Sequence, residues 1–131
     1  AMIGWGSSPL IVSPITTTAS PKPASVYLRH AFTLGAIPAG GLTLTTHADD
    51  GIIVFVNGVE VGRKNLDAGP VTHSTFANVA PNTATALAAP VTFTVDPSVL
   101  VAGTNVISVQ VVSNYRNTPS MSFDLRAVAA E

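Results

Sequence analysis

Residues 48–62 read ADDGIIVFVNGVEVG, and they decide the fold class. Ile52 to Asn57 is a run of β-branched and aromatic residues, apolar on both faces until its end, as a strand covered on both sides requires. Asn57-Gly58 follows. Both residues tolerate the positive φ that a two-residue type I′ turn demands, so Val59 to Val61 is expected to fold straight back as a partner strand. Upstream, Asp49-Asp50-Gly51 marks another reversal. Its carboxylates have two readings: they shape the turn by accepting from downstream N–H groups, or they hold an ion.

Working outward, the pattern keeps a period of two. Val26, Leu28, His30, Phe32 and Leu34 share one face of a strand from Ser25, with Tyr27, Arg29, Ala31 and Thr33 on the other. Leu42 and Leu44 alternate with Thr43 and Thr45. Val91, Phe93 and Val95 alternate with Thr92 and Thr94, after which Asp96 caps and Pro97 starts a single helical turn. Ile107, Val109 and Val111 form a further strand, and Met121, Phe123 and Leu125 a closing one. The turn-rich segment 62–90 is expected to hold at most a short strand around Val71 to Ala77. Seven to eight short strands without any long helical period predict an all-β fold, an antiparallel β-sandwich over residues 25–131. Residues 1–24, rich in Pro, Ser and Thr, are expected to run as an extended arm over its surface, packing on the sandwich.

Composition narrows the function classes. The 131 residues suffice for one domain with its own core, and 47% are hydrophobic. Only 10% are charged and the net charge is −1, with no Lys/Arg stripe, so nucleic acid is not expected as a partner. No apolar run reaches the roughly 18 residues of a membrane helix. Cysteine is absent, which removes disulfides, thiolate metal sites and a thiol nucleophile. A hydroxyl-rich, charge-poor surface suits an extracellular or cell-surface protein. Ala1-Met2, with no signal peptide in view, reads as the edge of a piece of a larger protein.

Catalysis is not expected. Glycoside hydrolysis needs two carboxyls facing each other about 5 to 9.5 Å apart, whereas Glu60, Asp96 and Asp124 each have a structural reading and no pair stands out. No Gly-x-Ser-x-Gly elbow occurs, and His30, His47 and His73 lack metal-ligand spacing. Binding is a better fit. Counting reversals along the strands places Asp49-Asp50 and the Arg63-Lys64-Asn65 loop at the same end. The loop Asn114-Tyr115-Arg116-Asn117 joins an aromatic, a guanidinium and two amides, the groups that meet a sugar's apolar face and hydroxyls. Trp5, the lone tryptophan, either packs the arm down or presents a stacking ring.

The order of these pieces is recognisable. LTLTTHADDGIIVFVNGVEVG, then VTFTVDPSVLVAGTNVISVQVVSN and SMSFDLRAV, with ASVYLRHAFTL upstream, resembles the galactose-binding-like jelly-roll family over roughly residues 25 to 128. It is similar in particular to the sugar-binding domain of family 2 glycoside hydrolases and to accessory modules of large secreted bacterial proteins. Asp49-Asp50-Gly51 before a hydrophobic strand is also similar to the Asp-Asp-Gly signature of PA14 domains, which implies calcium held by Asp49 and Asp50. The resemblance implies a two-sheet jelly roll. The expectation is therefore a non-catalytic carbohydrate-binding module beside neighbouring domains of a parent protein. Its candidate ligand-binding residues are Tyr115, Arg116, Asn114, Arg63, Asn65 and Trp5, and its candidate calcium ligands Asp49 and Asp50. A structural spacer or assembly domain with no small ligand is the competing expectation.

Overall fold

The computed structural model describes residues 2–5, 11–14, 23–115 and 118–130, with side chains of 11–14 left aside. Among them are ten strands: β1 (Met2–Trp5), β2 (Ile11–Pro14), β3 (Ser25–Leu34), β4 (Leu42–Thr46), β5 (Gly51–Val56), β6 (Val59–Lys64), β7 (Val91–Val95), β8 (Gly103–Val112), β9 (Met121–Phe123) and β10 (Leu125–Ala129). One short helix, α1 (Thr83–Ala88), and a 3-10 turn at Pro97–Val99 complete the set.

Two layers result. One is a four-stranded sheet in the order β3-β8-β5-β6. The other consists of β2-β1-β9 and β10-β4-β7, which follow one another because β9 and β10 are a single run interrupted at Asp124. All pairings are antiparallel except β1 with β2. This is the expected all-β sandwich, with more strands than the seven or eight read from alternation.

Alternation explains the core. Ile52, Val54 and Val56 from β5 and Ile107, Val109 and Val111 from β8 point at Leu42, Leu44, Val95, Met121 and Phe123 of the opposing layer. Each such side chain contributes about 1.5–3 kcal/mol on burial. The outer face of β5 is covered as well: Ile53 packs with Leu66, Ala77 and Val112 beneath the 65–78 segment. β5 is thus apolar on both faces for the reason its sequence suggests. At one side of the sandwich, Gly62 of β6 meets the ring of Phe93 of β7 so closely that a Cβ there would overlap it.

The hairpin turn is type I′, with Asn57 at φ 50° and Gly58 at φ 82°. Asn57 does more than turn the chain. Its Nδ2 donates to Val99 O and to Asn105 Oδ1, both at 2.9 Å, and its Oδ1 accepts from Val106 N. Asp96 caps the 3-10 turn by accepting from Ser98 N, as the sequence indicates.

In the N-terminal stretch β1 pairs with β9, and Met2 and Trp5 are buried. Two expectations are corrected. No strand forms at Val71–Ala77, where Thr72 instead makes a turn closed by Thr75 N to Thr72 O. The 62–90 segment holds α1, whose start is capped by Asn82 Oδ1 accepting from Thr85 N.

Candidate functional site

The Asp49-Asp50 turn enters β5 at one end of the sandwich, and three distant segments close on it. Asn65, just after β6, donates through Nδ2 to Asp50 O at 2.9 Å. Asn114, just after β8, donates its backbone N–H to Asp50 Oδ2 at 2.8 Å. Asn114 Nδ2 also donates to Ala77 O at 2.6 Å, and Ala77 N donates to Ser113 O, so the 65–78 segment is tied to the same place. Asp50, Asn65 and Asn114, three of the residues singled out in sequence, are therefore directly bonded to one another's segments. Tyr115 stands next to them, 49% exposed. Phe76, on the segment bonded to Asn114, is 44% exposed and was not foreseen.

Other candidates lie elsewhere. Arg63 is committed within its own hairpin: Nε and Nη2 bind the Glu60 carboxylate at 3.0 and 2.7 Å, and Nη1 donates to the carbonyls of Asp67 and Gly69. Trp5 presents no surface ring. It is 7% exposed, and its Nε1 donates to Thr118 O at 3.0 Å, which ties β1 to the loop that carries Asn114 and Tyr115. Arg116, with Asn117 of the same loop, falls outside the described residues.

Both aspartates are buried, Asp49 at 0% and Asp50 at 1% exposure. Burial is the main force on Asp50, pushing its carboxyl up to about 6. The Asn114 N–H works against this, Asp49 pushes further upward, and Thr118 pulls slightly down. Asp49 Oδ2 accepts from Thr83 Oγ1 and from Ser122 Oγ, each at 2.8 Å. Its Oδ1, equally buried, has no hydrogen-bond partner among the described residues.

Sequence reasoning missed the neighbouring network because its members lie 34 to 75 positions apart. Ser122 Oγ is 2.9 Å from His47 Nε2. These groups have the residue types of a nucleophilic triad but the opposite polarity. Ser122 spends its proton on Asp49, so His47 must donate its Nε2 proton to Ser122 instead of removing one. Burial holds the His47 pKa below its ordinary value, against the opposing pull of Asp49 and Asp124, which favours the neutral ring this chain of donors needs. Ser122 itself is fully buried. The network fixes Asp49 in place.

The residues present fit a hard cation. Asp49 Oδ1 is a buried carboxylate oxygen without a partner beside the raised Asp50 carboxyl, and such an atom is costly unless a cation or the Asp50 proton meets it. The remaining donors at hand are amide and backbone oxygens, the ligand type that calcium takes. Among the described residues no three His, Cys, Asp or Glu side chains cluster, so the two aspartates would be the whole acidic share. Asn65 and Asn114 both use their Nδ2 on backbone carbonyls, so their amide oxygens are the atoms they would offer an ion.

In comparison with known proteins, no family model, no curated protein and no solved structure matches the chain.

Proposed function

We propose that this chain is a non-catalytic carbohydrate-binding module of a larger extracellular or cell-surface protein, which meets glycan at the loop end built around Asp50. The observation that supports this reading is the bonding of Asp50, Asn65 and Asn114 into one rigid platform, with the Tyr115 ring exposed at its side. A pyranose offers an apolar face to a ring such as Tyr115 and hydroxyls to amides. The likeness to galactose-binding-like jelly rolls points the same way. A glycan array screened with the intact chain tests it: binding to a defined glycan class is expected, abolished by Tyr115→Ala. No signal above buffer, with or without calcium, would leave the spacer reading in its place.

A second reading is favoured by one further atom. The orphaned Asp49 Oδ1 supports a calcium-dependent form of the same site, in which Asp49 and Asp50 hold the ion and the ion engages sugar hydroxyls. Isothermal titration with calcium separates the two. Binding that Asp49→Asn removes is expected for the calcium form, and glycan binding undiminished in EDTA would restrict the site to its amides and aromatic ring.

A further inference from the structure

The outer face of the four-stranded sheet carries a depression whose lining shares no residue with the loop-end site. It is lined by Tyr27, Arg29, Phe55, Ser108 and Gln110, with a volume of about 310 Å³. The register builds it. Tyr27 lies opposite Gln110, which lies opposite Ile53; Arg29 lies opposite Ser108, which lies opposite Phe55. Tyr27 and Phe55 therefore flank the middle strand diagonally, about 12 Å apart, two strand spacings across and two residues along. Ser108, the smallest side chain of the group, sits in the middle and makes the hollow.

Its chemistry is specific. Tyr27 is 62% exposed, an unusual cost for an aromatic ring on a strand unless something covers it. Gln110 is held rigidly: its Nε2 donates to Ser25 Oγ at 2.9 Å and to Thr72 O at 2.8 Å, so its carbonyl oxygen remains the acceptor. Ser108 adds a hydroxyl. On this face Glu60 is neutralised by Arg63, whereas Arg29 has no ion-pair or hydrogen-bond partner among the described residues. Within the depression itself Arg29 is the one charged side chain.

We infer that this depression is a second saccharide site, separate from the loop end, that takes a carboxylate-bearing pyranose of an acidic polysaccharide. The ring stacks on Tyr27, with Phe55 as the opposite wall. Hydroxyls meet Ser108 and the Gln110 oxygen, and the carboxylate pairs with the Arg29 guanidinium, whose planar fork suits it.

Titration of the isotope-labelled chain with tetramers of galacturonate, mannuronate and glucuronate, beside carboxyl-reduced neutral counterparts, tests this. At least one acidic tetramer is expected to shift the amides of Tyr27, Arg29, Phe55 and Ser108, and its affinity to fall tenfold or more in Tyr27→Ala and in Arg29→Gln, both exposed positions. Asp50→Asn should leave this binding unchanged, which separates the site from the loop end. No shift with any acidic tetramer, equal affinity for the neutral counterparts, or affinity indifferent to both substitutions would overturn the inference.

Discussion

Asn114 donates its backbone N–H to Asp50 Oδ2 at 2.8 Å, joining the exit of β8 to the entrance of β5 across 64 positions of sequence. That bond favours the ionised carboxyl, yet burial outweighs it and Asp50 titrates near 6. The sign of the consequence follows. Below the ordinary carboxylate value of 3.8 the group is protonated folded and unfolded alike, and its contribution is fully present. Between 3.8 and 6 the unfolded chain releases the proton first, so stability falls as pH rises and is lost above about 6. His47 acts oppositely: its depressed pKa makes stability fall as pH drops below 6.5. Urea unfolding in EDTA should show wild type losing on the order of 2–3 kcal/mol relative to Asp50→Asn between pH 4 and 6.5. A difference that stays flat over that range would contradict the buried placement of Asp50.

The hairpin carries a second prediction. Gly58 sits at φ 82° with nothing within 4 Å of a built Cβ, so the cost of Gly58→Val is backbone conformation alone. A β-branched residue there should destabilise the domain by at least about 1–2 kcal/mol. Asp50→Asn in EDTA at neutral pH removes one of two adjacent buried charges and should cost less. Equal melting temperatures for the two variants would speak against the type I′ turn.

Gly62 and Phe93 close one side of the sandwich. Gly62→Ala pushes a methyl into the Phe93 ring and should cost about 1–3 kcal/mol by overpacking. Phe93→Leu in the same background should recover part of that loss, because the smaller side chain vacates the space. Additive losses in the double variant would show that the two do not touch.

Much of this architecture was legible in sequence, for physical reasons. Strands β3, β4, β7 and β8 betray themselves by alternation and β5 by its unbroken apolar run, and Asn57-Gly58 and Asp96-Pro97 encode backbone geometries that few other residues adopt. Strand β1 was not legible, since Met2–Trp5 contains a glycine and spans four residues. Helix α1, at six residues, is shorter than two turns, although Asn82 before an Ala-rich run is a cap signal that could have found it. At the site, counting reversals put the Arg63-Lys64-Asn65 loop at the same end as Asp49-Asp50. The identity of the groups bonded to Asp49, Thr83 and Ser122, depends on tertiary packing and leaves no local trace.

Trp5 illustrates the difference. Its burial makes β1 part of the core, so Trp5→Phe should keep the packing while leaving the buried Thr118 carbonyl without its donor. The expected cost is about 1–3 kcal/mol, with faster amide exchange at Ser113, Asn114 and Thr118. Exchange rates identical to wild type in that loop would contradict the tie.

The proposed glycan site has one decisive test. The most direct measurement is an amide-shift map of the intact chain titrated with the glycan that binds best on the array. Asp50, Asn65, Asn114 and Tyr115 are expected to move together and saturate at one affinity. A saturable interaction that leaves all four unmoved would contradict the proposed site.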